Sequence, residues 1–309
     1  MTVAATRSKN NAVPVARQFE PALRALGDAL PTDIGVPGGM MAYRLQARSR
    51  ATTAEAVAAR CGLTSSERSS GGVPVTVFQA PAEPALARVI FLHGGGLIAG
   101  DRFAGADIVA RHALELRLEV WCVEYPLAPE HDFGDIVETV LAVTREAGRD
   151  GMRILLAGQS AGGGIAAEVA LRAASSGVRI GGQLLVCPML ARADAVTALP
   201  FHGDRSWSAA NDAAAWTAAL GESAHTPPGE RHEIPELGPT YLDAGSAELF
   251  RDAVTDFARA LWRRGNRAEL HVWSGGFHGF DSAAEDASGS AESHRVRGGW
   301  IRRWLDDEL

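Results

Sequence analysis

The sequence predicts an α/β fold, in which a mostly parallel β-sheet is flanked by helices on both faces. From about residue 73 onward, short apolar segments alternate with longer segments whose apolar residues recur at helical spacing. This alternation is typical of βαβ units. The strand candidates are rich in Val, Ile and Leu, as expected of strands that helices cover on both sides. With 309 residues and 46% hydrophobic composition, the chain can bury one large core.

The elements follow one another in a regular order. Seven strands are predicted, over residues 73–79, 88–92, 119–124, 153–157, 183–186, 240–243 and 269–273. Five helices are predicted between or after them, over residues 106–116, 136–147, 161–175, 249–264 and 296–305. Each helix carries its apolar residues three or four positions apart, so that one face can cover the sheet.

Two regions fall outside this alternation, and both are predicted to form a cap. Residues 1–50 include a predicted amphipathic helix around residues 16–30, followed by a Gly/Pro-rich break. Residues 191–237 form a polar insertion that holds Phe201, Trp207 and Trp216. Because ligands of doubly wound folds bind at the carboxyl ends of the strands, we expect the two regions to pack together over that edge. The alternative is a frayed terminus and a surface excursion.

Charge and cysteine content argue against several classes of protein. The chain has 37 acidic and 30 basic residues and no long basic segment, which argues against a nucleic-acid partner. Cys61, Cys122 and Cys187 lack C-x-x-C spacing, so neither a disulfide framework nor a zinc site is indicated. The first 17 residues lack the apolar segment of a secretory signal, and no segment approaches the ~18 apolar residues of a membrane span. We therefore expect a cytoplasmic protein without a membrane span.

The string Gly-Gln-Ser-Ala-Gly at residues 158–162 is the first candidate for chemistry. It follows a predicted buried strand and begins a predicted helix. A serine on such a sharp turn stands exposed above the sheet, and glycines on either side remove side chains that would collide there. Ser160 is therefore predicted to be a nucleophile. The alternative is an ordinary glycine-rich turn.

The string His-Gly-Gly-Gly at residues 93–96 ends another predicted strand. Backbone amides can converge on a developing oxyanion only where no Cβ obstructs the approach, which favours glycine. We therefore expect Gly94, Gly95 and Gly96 to contribute to an oxyanion hole. The alternative, a phosphate-binding loop, lacks the G-x-x-x-x-G-K-[ST] pattern and a nearby lysine.

A general base is expected after Ser160 in the chain. In α/β folds with a nucleophilic serine on such a turn, the three catalytic residues follow in the order Ser, then Asp or Glu, then His. His278 is the strongest of six histidines, since it stands in a glycine-rich loop directly after the last predicted strand. The other five fall in the presumed cap, inside a strand, or at an exposed start of the last helix: His202, His225, His232, His271 and His294.

The acid that orients the imidazole is expected after the strand at residues 240–243. Glu248 follows that strand by one turn, whereas Asp243 is still on the strand and Asp252 is already inside the next helix. Glu248 is the preferred candidate. The other two stay open, because a carboxylate near a helix start can simply stabilise the helix dipole.

Taken together, these strings resemble the bacterial esterases similar to mammalian hormone-sensitive lipase, within the α/β hydrolases. The resemblance spans about residues 73–305 and rests on four strings, at residues 93–96 with 100–101, 125–131, 158–163, and 248–252 with 277–280. It implies an α/β-hydrolase fold with a helical cap. The implied domains are an N-terminal cap segment at residues 1–50 and a catalytic domain at residues 51–309, with residues 191–237 as a cap insertion.

The resemblance also implies roles for individual residues. Ser160 would be the nucleophile, His278 the base and Glu248 the acid. The implied oxyanion donors are the backbone amides of Gly94, Gly95, Gly96 and Ala161. Three positions depart from the family pattern: Glu248 stands where Asp is usual, Gln159 replaces a frequent Asp, and Pro126 replaces a common Arg.

The resulting hypothesis is a serine carboxylesterase that hydrolyses small, short-acyl esters through an acyl-enzyme. No metal or organic cofactor is expected, and a small-molecule ester is the expected partner. Hydrolysis of an amide, carbamate or lactone by the same triad is an alternative, as is a non-catalytic ligand-binding receptor on the same fold. The sequence leaves open whether the chain forms a homodimer.

Overall fold

A computed structural model describes residues 19, 21, 34–194, 198–201, 204 and 206–309. Its centre is a sheet of eight strands in the order β1-β2-β4-β3-β5-β6-β7-β8. β2 is antiparallel to both of its neighbours, and the other neighbouring pairs are parallel. The strands are β1 Thr64–Ser70, β2 Val73–Gln79, β3 Ala87–Leu92, β4 Leu118–Val123, β5 Ile154–Gln159, β6 Gly182–Val186, β7 Thr240–Gly245 and β8 Ala268–Trp273.

Helices cover both faces of this sheet. In the described part of the chain they are α1 Gly39–Ser49, α2 Ala54–Cys61, α3 Asp107–Leu116, α4 Phe133–Ala147, α5 Ala161–Ser176, α6 Ala209–Leu220, α7 Arg251–Arg263, α8 Phe280–Ala283 and α9 Ser288–Leu305. None of these helices is long and apolar enough to cross a membrane.

The hydrophobic core is divided by the sheet into two layers. Side chains of β3 alternate between them, with Ile90 and Leu92 in one layer and Val89 and Phe91 in the other. Helices α4, α5 and α7 pack in the first layer, and α2, α3 and α9 in the second. The predicted α/β fold with a mostly parallel sheet flanked by helices is therefore confirmed.

The structure contains one strand, β1, and four helices, α1, α2, α6 and α8, beyond the elements predicted from the sequence. Strand β1 was not predicted, because its sequence is polar and its exposed edge position needs no apolar alternation. The last helix begins at Ser288 rather than at residue 296. The expectation that His294 is exposed at a helix start is wrong, because His294 lies inside α9 and is only 5% exposed. The first two turns of α9 bury polar side chains, so apolar spacing did not reveal these turns.

The two regions predicted to form a cap are in contact with each other. The backbone N–H of Ile34 donates to Oδ1 of Asn211 in α6 over 2.9 Å. The rings of Tyr43 in α1 and Trp207 have centroids 6.1 Å apart. These contacts support a shared cap, while the boundaries at residues 50, 191 and 237 stay predictions. The helix predicted around residues 16–30 lies outside the described residues, apart from Phe19 and Pro21.

Candidate active site

Ser160 stands at a strained turn between β5 and α5. Its backbone has φ 55° and ψ −119°, a region that L-residues rarely adopt. The turn is held by two hydrogen bonds to the end of β6 and the segment after it. Ser160 N–H donates to the Val186 carbonyl, and Met189 N–H donates to the Ser160 carbonyl. A Cβ at Gly162 would lie 2.0 Å from the Leu92 carbonyl oxygen. The close backbone approach therefore requires glycine there.

His278 meets Ser160 from the loop that follows β8. Its Nε2 lies 2.9 Å from Oγ of Ser160, within hydrogen-bond distance. Phe250 packs edge-on against the imidazole, with ring centroids 4.9 Å apart. The imidazole is thus held against the hydroxyl by a hydrogen bond on one edge and by an aromatic ring beside it.

Glu248 lies on the far side of the imidazole from Ser160. Its Oε1 is 3.6 Å from Nδ1 of His278, which is too long for a hydrogen bond, and its Oε2 accepts from the backbone N–H of Gly245 over 3.0 Å. Glu248 is fully buried. The turn that carries Glu248 is tied to the histidine loop, because the N–H of Ala247 donates to the carbonyl of Gly276 over 3.0 Å.

The other two carboxylates considered for the acid are occupied elsewhere. Asp243 is buried within β7, where its Oδ2 accepts from Tyr241, Trp273 and Arg297. Asp252 lies on α7 and is bonded to Arg251, with 44% of its side chain exposed. Of the three candidates, Glu248 is the one that the structure brings beside His278.

The glycine loop after β3 faces the same cleft as Ser160 and His278. Gly95 has φ 124°, and a Cβ there would lie 2.0 Å from the Ala99 carbonyl oxygen. Beneath the loop, His93 stacks on Tyr125 with ring centroids 4.1 Å apart. Burial lowers the pKa of His93, so its ring is a neutral structural support. Ala161, at the start of α5, has a backbone amide in the first helical turn, where intrahelical acceptors are missing.

The cleft has a volume of about 500 Å³ and a mixed lining. Tyr43 and Trp207 bring aromatic rings from the two cap regions, and a Cβ on Gly96 would touch the Trp207 ring. Two ion pairs also line it, Arg60 with Asp107 and Arg111 with Glu285.

Of the three cap aromatics noted in the sequence, one lines the cleft. Trp207 does so, whereas Trp216 packs against Phe133 and Phe201 belongs to the core. Gln159, one of the departures from the family pattern, also lines the cleft and donates from Nε2 to Oγ of Ser282 over 3.3 Å. Tyr43 was not identified from the sequence, because its helix α1 has no motif that marks a site.

A buried ion cluster fixes the loop that carries His278. Arg297 of α9 donates to Asp243 on β7 and to Asp281 on α8, and all three side chains are about 1% exposed. Burial alone would lower the pKa of Arg297, but the two carboxylates outweigh it and raise that pKa. The guanidinium therefore stays charged and links the histidine loop to the sheet. Sequence reasoning missed Arg297 because it lies in a stretch of α9 that was predicted to be amphipathic.

Comparisons with known proteins show what this chain is similar to. A family model described as alpha/beta hydrolase fold matches residues 89–282. Esterase LipI of Mycobacterium tuberculosis is 28% identical over 280 residues, which are 85% of this chain and 88% of that protein. Hormone-sensitive lipase of Mus musculus is 38% identical over 109 residues, which are 33% of this chain and 14% of that protein. A solved bacterial heroin esterase has a TM-score of 0.81 at 27% identity, covering 94% of this chain and 98% of that one.

The fold, the glycine-supported serine turn and these matches define a serine hydrolase on an α/β scaffold. The chain belongs to the hormone-sensitive lipase-like family of α/β hydrolases. It is accordingly an enzyme of the carboxylesterase class.

Replacing Arg297 by Met should destabilise the protein strongly. The change leaves Asp243 and Asp281 buried without their cation, a situation that costs about 3–5 kcal/mol. Arg295→Met is the matched control, because Arg295 lies on the same helix and pairs with Glu292 at the exposed surface. We expect a change below about 1 kcal/mol for the control. Guanidinium unfolding measures both, and equal effects of the two substitutions would contradict a structural role for the cluster.

Proposed function

We propose that this carboxylesterase hydrolyses small, short-acyl esters with Ser160 as nucleophile, His278 as base and Glu248 as the acid that orients it. The observation that carries the proposal is the 2.9 Å separation of Oγ of Ser160 and Nε2 of His278, at a turn facing the glycine loop. A nucleophile within hydrogen-bond reach of a base, with a third group behind the base, is the arrangement that activates a serine hydroxyl.

The first step forms an acyl-enzyme. Oγ of Ser160 attacks the ester carbonyl carbon while Nε2 of His278 takes the hydroxyl proton. The carbonyl oxygen becomes an oxyanion, and the backbone amides of Gly94, Gly95, Gly96 and Ala161 are the proposed donors to it. Loss of one such donor costs about 3 kcal/mol in comparable sites. The imidazolium then gives its proton to the alcohol oxygen, and the ester C–O bond breaks.

The second step releases the acid. Water replaces the alcohol, His278 removes a proton from it, and the resulting hydroxide attacks the acyl carbon. When the second tetrahedral intermediate collapses, the proton returns to Oγ of Ser160. Each step makes the imidazole positive, so the buried carboxylate of Glu248 stabilises both. Its 3.6 Å distance to Nδ1 is expected to shorten in the charged state, as hydrogen bonds in resting sites often do.

The lining of the cleft supports a small substrate. A long alkyl chain that fills the cleft would meet a lining that includes two ion pairs, Arg60 with Asp107 and Arg111 with Glu285. Covering such charges with hydrocarbon removes water from them without replacing its hydrogen bonds. The aromatic wall from Tyr43 and Trp207 favours a short apolar group close to the serine.

Ser160→Ala should abolish hydrolysis of p-nitrophenyl acetate. We expect kcat/KM to fall by about 10³-fold or more, because the nucleophile is removed while the cleft is kept. A fluorophosphonate should add its mass to Ser160 of the unaltered enzyme and leave the variant unmodified. Hydrolysis that survives within about tenfold would overturn the mechanism. An unaltered protein without adduct or hydrolysis would instead support a ligand-binding receptor.

Glu248→Gln, compared with Asp252→Asn, tests which carboxylate is the acid that orients His278. Removing the carboxylate charge should lower kcat by about 10²–10⁴-fold while KM changes little, because the charge acts on the imidazolium of the transition state. Asp252→Asn is the control, since Asp252 is partly exposed and bonded to Arg251. The control should keep kcat within about threefold. A larger loss of kcat for Asp252→Asn than for Glu248→Gln would contradict the assignment of Glu248 as the acid.

A series of p-nitrophenyl esters tests the substrate class. We expect kcat/KM to be highest for acetate to butyrate and to fall steadily for longer chains, because of the charged lining of the cleft. A preference for chains longer than about ten carbons would contradict the proposal. The matching p-nitroanilides separate ester from amide hydrolysis, and faster cleavage of the anilides would favour the amide alternative.

A further inference from the structure

A third potential metal ligand lies beside the imidazole and the buried carboxylate. Sγ of Cys187, a carboxylate oxygen of Glu248 and a ring nitrogen of His278 all lie within 4.8 Å of one another. Cys187 directly follows β6 and is 4% exposed. The three residues come from three separate loops at the carboxyl edge of the sheet, so no spacing in the sequence marks them as a group.

Two atoms of this cluster face each other without a bond. Within the described part of the chain, neither Oε1 of Glu248 nor Nδ1 of His278 has a hydrogen-bond partner, although both are buried. Their separation of 3.6 Å is longer than a hydrogen bond. It is close to the ~3.3 Å that separates two ligands at 2.0–2.1 Å in tetrahedral geometry around Zn²⁺. The gap is therefore suited to a shared cation.

We propose that Cys187, Glu248 and His278 form an inhibitory site for Zn²⁺, which would be bound by Sγ, Oε1 and Nδ1. The set of one thiolate, one carboxylate and one imidazole belongs to the ligands that zinc prefers. The proposal rests on the function proposed above only for its consequence, inhibition; binding of the metal does not depend on it.

The positions of the protons in the site explain why the bound metal would inhibit hydrolysis. Zn²⁺ binding releases one proton from the Cys187 thiol, because the thiolate is the ligand. Coordination also uses the lone pair of Nδ1, so the single proton of the neutral imidazole must sit on Nε2. Nε2 then donates toward Oγ of Ser160 instead of accepting its proton. The base is lost while the serine and the glycine loop stay in place.

Without metal the thiol is inert. Burial, with the charge of Glu248 as a second cause, raises the pKa of Cys187 well above its usual value, so the thiol keeps its proton. Entry of the metal takes a swing of the imidazole, which lines the cleft and stands on a loop with Gly276 and Gly279. The site then opens toward the cleft rather than toward the core.

The experiment compares inhibition by buffered free Zn²⁺ in the unaltered enzyme, Cys187→Ala, Cys187→Ser and Cys61→Ser. Hydrolysis of p-nitrophenyl acetate is expressed relative to the zinc-free rate of each protein. Loss of one of three ligands should raise the half-inhibiting zinc concentration by about 100-fold or more in both Cys187 variants. Cys61→Ser is the matched control, because this more accessible thiol also lies near a carboxylate, Asp107 at 3.8 Å. Its half-inhibiting concentration should not change, and chelator should restore activity.

Binding is measured separately by competition with a chromophoric chelator, using Ser160→Ala with and without Cys187→Ala. One zinc ion per chain should bind to Ser160→Ala, and the added Cys187→Ala should weaken it by the same factor. This readout holds even if the protein proves not to hydrolyse esters, so the two proposals fail independently. Equal inhibition of the unaltered and Cys187 enzymes, loss of inhibition in Cys61→Ser, or no binding to Ser160→Ala would each overturn the site.

Discussion

The strained turn at Ser160 is the constraint on which the rest of the site depends. The chain leaves β5 and enters α5 within one residue, and this places Oγ above the carboxyl edge of the sheet. Gly162 permits the contact with the end of β3, so the turn and the glycine loop are packed against each other. Because β3, β5, β7 and β8 are parallel, the loops that follow them all reach the same edge. A hydroxyl, an imidazole and a row of backbone amides can therefore share one cleft.

The imidazole is supported less directly than the hydroxyl. His278 stands on a glycine-rich loop, and the Arg297 cluster fixes the next few residues to the sheet and to α9. Glu248 is held by the amide of Gly245 and keeps one oxygen without a bond in the described structure. The space between Oε1 of Glu248 and Nδ1 of His278 matters to both proposals. In the proposed mechanism a proton on Nδ1 faces the carboxylate and supports the base, whereas in the proposed zinc site a cation bound there would remove the base.

The sequence predicted the sheet and the positions of the motifs because both depend on local patterns. Apolar runs located seven of the eight strands, and glycine strings located the turns at Ser160 and Gly95. Arg297 and Cys187 could not be recognised, since their importance comes from contacts with residues on other elements. The partners of Arg297 lie 16 and 54 residues away in the chain, and those of Cys187 lie on two other loops. Glu248 was preferred over Asp243 and Asp252 from its place after a strand, and the contacts of the other two support that preference. The start of α9 was missed because the side chains that it buries, Ser290, Ser293 and His294, are polar and leave no apolar periodicity.

A crystal structure of the enzyme after reaction with a phosphonate inhibitor would be the most direct test of the proposed catalytic residues. We expect phosphorus bonded to Oγ of Ser160, a phosphonyl oxygen within hydrogen-bond distance of the glycine-loop amides, and Oε1 of Glu248 close enough to Nδ1 of His278 to accept a hydrogen bond from it. A phosphonate on another residue, or an imidazole that contacts Asp243 or Asp252 instead of Glu248, would contradict the proposed assignment.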